Sequence, residues 1–456
     1  MADQIQVAVR TEDTGAGPAG MLLWRARCSS GAVDMRLAIL GTRGIPAGYG
    51  GFETFAEQLS VRLVQRGVEV TVYCEAGSGE GAASYRGVSL VYVPVWRLGP
   101  LTTILFDILC LWHARKSFDV VYMLGYGTSI FCFLPRIWGS EVWINMDGIE
   151  WARSKWNRLA KVWFKAMEAA AMWTPNRLIA DAEGIEMHLR SRHRRLPPIS
   201  VISYGAPVVV EEPDPALIAQ WHLVPREYLL VVCRLEPENS VREVVEGYLA
   251  SGSALPLVVV GSTSPATGYV RELLQAGEGR VRFIGAVYHQ ERLQALRHHA
   301  LAYFHGHTVG GTNPSLLEAL GCGSLIIAHD NIFNREVAGE LGSYFRGAGD
   351  VVGQIRSLEG YPPQTAHLLR AQARQRIAAA YSWDAITDSY CATFPGRAPG
   401  ERTPRGLDRA PAALVSGRAL VQGGAAGKVT ATLESRGYLP QSGGIQGAGK
   451  RVQRGV

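Results

Sequence analysis

The sequence has 456 residues, enough for two or three domains with sizeable cores at roughly 100–200 residues each. Hydrophobic residues make up 47% and charged residues 19%, which excludes a largely disordered chain. The net charge of +6 is local: residues 396–456 hold 10 Lys/Arg against 3 Asp/Glu, and the remainder holds 36 against 37. The basic balance therefore gives no argument for a nucleic-acid partner, and none is expected.

Residues 1–34 are rich in Gly, Ala and Ser without periodicity, and read either as a disordered leader or as a mis-assigned start ahead of Met35. The first apolar strand is RLAIL (36–40), followed by the glycine-rich loop GTRGIPAGYGG and a helical pattern through FETFAEQLSVRLVQRG that Gly67 closes. Strands VEVTVYC, VSLVYVPV, FDVVYML and EVWIN follow, then an amphipathic helix near 155–173, then RLIADAE and ISVISYG. The pattern restarts with YLLVVCR, PLVVVGS, VRFIG, LAYFHG and SLIIAHD, separated by helical spacers. This alternation predicts an α/β protein with two doubly wound, Rossmann-like domains, 35–205 and 206–395, facing a central cleft where ligands bind beyond the strand C-termini. Residues 396–456 read as a disordered basic tail.

Seven cysteines (Cys28, Cys74, Cys110, Cys132, Cys233, Cys322 and Cys391) show no C-x-x-C or metal-ligand spacing, and several lie in apolar runs. They read as reduced thiols of a cytoplasmic protein. The longest apolar run, Leu101–Trp112, falls short of the ~18–20 residues that span a bilayer and carries Asp107. No signal-peptide pattern opens the chain.

Two glycine loops carry the functional signal. In the first, Gly41, Gly44, Gly48, Gly50 and Gly51 crowd a strand-to-helix turn that suits an anion. Glu75 at the end of the second strand invites a dinucleotide reading, but the loop is longer than G-x-G-x-x-G and spaced differently. The second, HGHTVGGTNPSLLEALGCG, ends a strand near Phe304 and starts a helix with Asn313 as N-cap and Pro314 at the first position. Its amides are expected to face the cleft as a diphosphate site, with Glu318 one turn inside at reach of a ribose hydroxyl. The plain alternative is a structural βα unit with Glu318 on the surface.

In NMDGIEW, Asp147 follows a strand and is placed at the cleft, as an acceptor-hydroxyl partner or as an Asx-turn cap. Trp151 and Trp156 either stack on a sugar or pack beneath a helix. Arg153, Lys155, Arg158, Lys161 and Lys165, interleaved with Trp156, Leu159, Val162, Trp163 and Met167, read as a helix that is either an anionic-membrane surface or a solvated face over a core stripe.

Taken together, GTRGIPAGYGGFETFAEQL, NMDGIEWARSKWNRLAK, RLIADAEGI, RLEPEN, HGHTVGGTNPSLLEALGCG and YSWDAITDSY resemble the retaining glycosyltransferases of the GT-B fold, family 4, within a subgroup of bacterial β-rhamnosyltransferases of surface-polysaccharide assembly. The resemblance implies a nucleotide-sugar donor held by the second domain and a lipid-diphosphate-linked or glycan acceptor held by the first. Carried over, it implies Glu318 as ribose ligand, Arg234 for the donor diphosphate, Gly50 and Gly51 facing the donor, and Trp383 opening a final helix that crosses back. Gly310, Gly311, Thr312, Asn313 and Ser315 complete the expected donor loop, and Asp147 joins Arg234 and Glu318 as expected catalytic groups.

Two positions depart from the family pattern: Gly310 stands where the first glutamate of E-x7-E belongs, and Asn239 where a lysine follows R-L-x-x-E. The expected replacements are Arg43 for charge and His305 or His307 for the sugar. The reaction is expected to need no metal or other cofactor, since no D-x-D or His/Cys/Asp cluster marks the expected site. It is placed in the cytoplasm, with a peripheral contact at the inner face of the plasma membrane as a further option. A nucleotide-sugar epimerase and a catalytically silent GT-B assembly partner are the alternatives.

Overall fold

The computed structural model describes residues 35–395 apart from 49, 78–81, 100 and 265–266; the leader and the tail lie outside the described residues. The first half runs β1 (Arg36–Leu40), α1 (Gly51–Gln65), β2 (Glu69–Glu75), β3 (Ser84–Tyr85), β4 (Val88–Val93), α2 (Leu101–Ala114), β5 (Val120–Leu124), α3 (Leu134–Ile137), β6 (Glu141–Asn145), α4 (Arg158–Ala171), β7 (Arg177–Ala180), α5 (Glu183–Arg192) and β8 (Ile199–Val201). The second runs α6 (Ala216–Ala219), β9 (Leu229–Val232), α7 (Val241–Ser251), β10 (Leu257–Val260), α8 (Gly268–Ala276), β11 (Val281–Gly285), α9 (Gln290–His299), β12 (Ala302–His305), α10 (Pro314–Gly321), β13 (Ile326–His329), α11 (Ile332–Ala338), β14 (Gly342–Phe345), α12 (Ala348–Glu359), α13 (Pro363–Ala380) and α14 (Trp383–Thr393).

Continuous apolar strands such as VVYML and LVVV are buried on both faces, as parallel sheets covered by helices require. The first sheet has the order β3-β4-β2-β1-β5-β6-β7-β8 and the second β11-β10-β9-β12-β13-β14. Every pairing is parallel except the short β3–β4 ribbon. In each sheet the chain winds outward on one side, then returns to the middle and winds the other way. The reversal falls between β1 and β5 in the first sheet and between β9 and β12 in the second, and crevices open at the strand C-termini there. The loops after β1, β9 and β12 are those that carry Arg43, Arg234 and the His305–Ser315 segment. β3 and β14 have no counterpart among the expected strands, being two residues long or broken by small residues.

The chain passes to the second sheet after β8 and returns at 381–382, where Ala206 N donates to the Tyr381 carbonyl at 2.9 Å. Ser382 caps α14 through its Oγ. Trp383 packs so tightly that a Cβ on Gly205 would lie 2.6 Å from its ring. From there α14 lies against α1: Phe55 meets Trp383 and Tyr390, Phe394 stacks on Trp143 at 5.3 Å, and Arg66 pairs with Asp384 and Asp388. Trp383 thus packs where the chain returns to the first sheet, and one continuous apolar cluster runs from the first sheet through α14 into the second.

α4 begins at Arg158, later than the basic pattern implies, because Asn157 caps it by accepting from Ala160 N at 2.9 Å. Arg153 and Lys155 therefore precede the helix. Of the two readings of its apolar stripe, the core one does not hold at Leu159 and Val162, which are 81% and 65% exposed; in α4 Met167, Glu168 and Ala171 are buried.

Candidate active site

Arg234 leaves the C-terminal end of β9, half exposed, 3.6 Å from Glu236. Its carbonyl accepts from Asn239 Nδ2 at 2.7 Å, which turns the Asn239 oxygen toward His307 Nδ1 at 2.8 Å. Asn239, one of the two departures from the family pattern, is thus the brace between Arg234 and His307. The His307 carbonyl is gripped by Asn331 and Asn334 at 2.9 and 3.0 Å. Burial, with Arg153 and Arg234 nearby, pushes the His307 imidazole down to about 4, so it is neutral at pH 7.

The second departure has an equally local cause. Gly310 has φ +124°, a conformation L side chains rarely adopt, and a Cβ there would sit 3.3 Å from His307 Nε2. Facing it across the cleft is Gly148 at φ +65°, whose own Cβ would lie 3.0 Å from Gly310 Cα. The loops after β6 and β12 meet glycine on glycine, and a glutamate would prise them apart.

Asp181, just beyond β7, is fully buried, and no sequence motif singles it out. Its Oδ2 accepts from Thr312 N at 2.9 Å, and Thr312 Oγ1 donates to the Asp181 carbonyl at 2.5 Å. Oδ1 has no partner among the described residues, and a Cβ on Gly311 would lie 2.0 Å from it, so that position must be glycine. Asp147 accepts from the Tyr204 hydroxyl at 3.0 Å. Burial raises both carboxyls above the ordinary range; the neighbouring Asp147 pushes Asp181 further up, while Arg153 opposes the rise at Asp147. Behind them Asn145 Nδ2 donates to the Tyr122 hydroxyl at 3.0 Å, which is 2.8 Å from that of Tyr390 on α14. In the sequence Asp181 lies at a strand end, like Asp147, inside the stretch RLIADAEGI.

Several amides at the expected anion site at the start of α10 have partners within the protein. Pro314 has no N–H, Asn313 caps Ser315 N at 2.9 Å and takes Leu316 N on its carbonyl at 3.1 Å, and Thr312 N is held by Asp181. The first helical amides are thus held from within the protein. Ser315 Oγ is committed to Tyr303 Oη at 2.7 Å and Arg297 Nη2 at 3.2 Å rather than to the cleft.

Glu318 is a quarter exposed and pairs through Oε2 with the buried Arg297 at 2.7 Å. Arg297, at the end of α9, is a second residue that sequence reading misses; no motif marks it. Its guanidinium fixes both Glu318 and Ser315 beneath the loop.

The expected replacement groups are redistributed. His305 is buried at the end of β12, stacked near Tyr303, its Nε2 without a hydrogen-bond partner among the described residues, and burial drives its pKa well down. Arg43 is exposed on the loop after β1, tied by its backbone to Glu53 and Glu75. The charge near His307 comes instead from Arg153, and that near Lys155 from Arg234: Arg153 depresses the His307 pKa, and Lys155 is lowered by burial first, with Glu150 opposing and Arg153 and Arg234 adding to the fall. Because α4 starts only at Arg158, these two side chains are free of the helix. Gly50, at φ +130°, receives the Glu53 carboxylate against its Cα, and Gly51 opens α1 with no atom within 4 Å of its Cβ direction. Trp151 and Trp156 donate to Glu168 at 2.6 Å and Glu150 at 3.1 Å, which places both in the packing.

Three further contacts close the cleft's back. Ser154 donates to Glu238 at 2.5 Å, and although burial pushes Glu238 up, that bond together with Arg153 and Lys155 holds it below the usual range. Glu336 accepts from the Glu183 and Gly184 amides at 2.8 and 3.2 Å, capping α5 from the other sheet's side.

Residues 35–207 match the model of a domain of unknown function, DUF1972. No curated protein matches the chain. Among solved structures, sucrose-phosphate synthase from Thermosynechococcus elongatus is similar with a TM-score of 0.64 at 17% identity, over 78% of this chain and 97% of that one. HepE from Anabaena, solved in complex with UDP-glucose, gives 0.64 at 15% over 79% and 99%. A glycosyltransferase from Rickettsia africae gives 0.61 at 13% over 78% and 97%. With its parallel sheets and these neighbours, the chain has the fold of the GT-B glycosyltransferases.

Proposed function

We propose that this chain is a glycosyltransferase that moves a sugar from a nucleoside-diphosphate donor to a lipid-diphosphate-linked or glycan acceptor. The observation that carries the reading is the convergence of Arg234, the Asn239–His307 brace and a glycine turn, at the reversal point of the second sheet, with the Asp147–Asp181 pair at the C-terminal ends of β6 and β7 in the first. HepE, with the same fold, is a protein solved with UDP-glucose. On the resemblance alone, the donor sugar is rhamnose from dTDP-rhamnose and the pathway is surface polysaccharide.

In the proposed reaction the glycosidic C–O bond to the diphosphate breaks, and the acceptor oxygen forms a bond to the same carbon on the same face. Negative charge on the departing diphosphate is met by Arg234, with Arg153 and Lys155 adding to the local field. The leaving phosphate oxygen takes the acceptor proton. Glu318, set by Arg297, is proposed to hold the ribose. Asp147 is proposed to orient the acceptor hydroxyl, and Asp181 to hold the donor loop against the first domain. Charge stabilisation by these groups suits a metal-independent reaction, and transfer is expected to survive a chelator.

A peripheral membrane contact is part of the proposal. Leu159, Val162 and Trp163 on α4 lie exposed beside Arg158, Lys161 and Lys165, and the same half of the protein exposes Trp112, Ile137, Trp138 and Trp173. Apolar side chains among cations suit an anionic lipid surface. Among the described residues no helix is long and apolar enough to cross a membrane.

Nucleotide binding tests the reading first. Calorimetric titration with dTDP and UDP should give saturable binding that Arg234→Ala weakens at least about tenfold, the loss of one charge-assisted contact. Binding of neither nucleotide would refute the transferase. An NMR coupling constant at the product's anomeric carbon then decides retention.

A further inference from the structure

At the N-terminal edge of the second sheet, opposite the cleft, α9 ends in two adjacent histidines just before β12. The segment that carries the chain toward α6 passes over them. His299 Nε2 donates to the Pro213 carbonyl at 2.7 Å, and His298 Nδ1 to the Cys322 carbonyl at 3.1 Å. Each ring's N–H is therefore fixed on a backbone carbonyl, and its lone pair sits on the other nitrogen. Those two nitrogens, His298 Nε2 and His299 Nδ1, lie 3.7 and 3.9 Å from the same Glu212 Oε1. All three ligand atoms fall within 4.8 Å of one another. His299 is fully buried, and its Nδ1 has no hydrogen-bond partner among the described residues.

Two lone pairs and a carboxylate oxygen that face one another repel unless a cation lies between them. Arg226 supplies part of the charge: its Nη2 donates to His298 Nε2 at 3.4 Å, a long bond that the ion displaces, and its Nη1 is occupied by the His298 and Ala300 carbonyls. The C-terminus of α9 adds its own negative potential. A histidine with one nitrogen on a backbone carbonyl and the other aimed at a carboxylate is the arrangement that surrounding groups impose on metal ligands.

We propose that Glu212, His298 and His299 bind one divalent transition-metal ion of the zinc class, with a water in the fourth position. Metal–ligand bonds of about 2.0–2.2 Å in a tetrahedron put ligand atoms about 3.4 Å apart. Rotation of Glu212, whose side chain is 70% exposed, closes its two distances to that value, and the two imidazole nitrogens, within 4.8 Å of each other, close by tilting of the His298 ring. The ion fastens the segment leaving the Ala206 crossing onto α9. It lies at the edge of the sheet away from the cleft and takes no part in sugar transfer, so the proposal stands or falls independently of the transferase.

The test uses the full chain stripped with a chelator, then titrated with Zn2+ against a chromophoric competitor and with Co2+ for its visible bands. One equivalent should bind, with Co2+ bands of nitrogen and oxygen ligation and no thiolate charge-transfer absorption. Glu212→Gln, an exposed change that leaves the metal-free thermal midpoint where it was, should weaken Zn2+ at least tenfold. His299→Gln should abolish it. No saturable binding, equal affinity in Glu212→Gln, or thiolate bands pointing to a cysteine site would each overturn the proposal.

Discussion

The Arg297–Glu318 pair offers a prediction whose size and asymmetry both follow from the geometry. Arg297 is 3% exposed and Glu318 24% exposed at the side chain, 2.7 Å apart. Breaking a buried pair by removing one partner costs about 3–5 kcal/mol, because a charge is left in low dielectric without compensation. Arg297→Met leaves the carboxylate, which water reaches in part, so the loss belongs below that range, at about 2–3 kcal/mol. Glu318→Leu leaves a guanidinium that water does not reach, and the loss is expected at about 3–4 kcal/mol. For a domain of this size 1 kcal/mol moves the thermal midpoint by about 2–4 °C, so Arg297→Met should lower the transition by roughly 4–12 °C and Glu318→Leu by more. The double variant should recover much of this, since replacing both partners by apolar groups is often neutral. Scanning calorimetry of the four proteins, with urea unfolding to extract the coupling, is the assay. Additive losses, or Arg297→Met costing more than Glu318→Leu, would refute a buried pair in which the arginine is the less solvated partner.

Asp181→Asn should stabilise the protein at pH 8 relative to the native chain, with the gain fading toward pH 4. The folded carboxyl is held protonated above its unfolded pKa, so native stability falls as pH rises from the unfolded value through the raised one. The amide removes that loss, each tenfold change in proton affinity between the folded and unfolded chain being worth about 1.4 kcal/mol. A gain independent of pH, read from thermal midpoints across that range, would contradict it. Restoring the family residues should fail: Gly310→Glu places a side chain at φ +124° against Gly148, and Asn239→Lys breaks both bonds that join Arg234 to His307. Each should lose about 1–3 kcal/mol of stability and lower donor affinity, and a gain in either would be the contrary result. Leu159→Ser with Val162→Ser should shift unfolding by less than about 0.5 kcal/mol yet reduce sedimentation with anionic vesicles; unchanged vesicle binding would remove α4 from the membrane contact.

The doubly wound architecture is legible because parallel strands buried on both faces leave uninterrupted apolar runs, and the glycine-dense turns after β1 and β12 mark where backbones approach a ligand or one another. The strand ends at Arg234, Asp147 and His307 can be placed for the same reason. Contacts between the two sheets cannot. Asp181 looks like any strand-terminal acid until its carboxylate meets Thr312, and Arg297 carries no motif; its partner lies one helix further on. Arg153 and Lys155 read as helical because charge periodicity runs through Asn157, where the cap stops the helix. Glu212 and His299 are far apart in sequence, so no ligand spacing announces them.

The central claim, sugar transfer from a nucleotide donor, is tested most directly by product mass. The full chain is incubated with a panel of dTDP- and UDP-sugars and a lipid-diphosphate glycan acceptor, beside Arg234→Ala and Glu318→Gln. The account predicts an acceptor one sugar heavier with one donor, and at least tenfold less product in both variants. A donor that binds but yields no heavier acceptor, or product formed equally by Arg234→Ala, would contradict it.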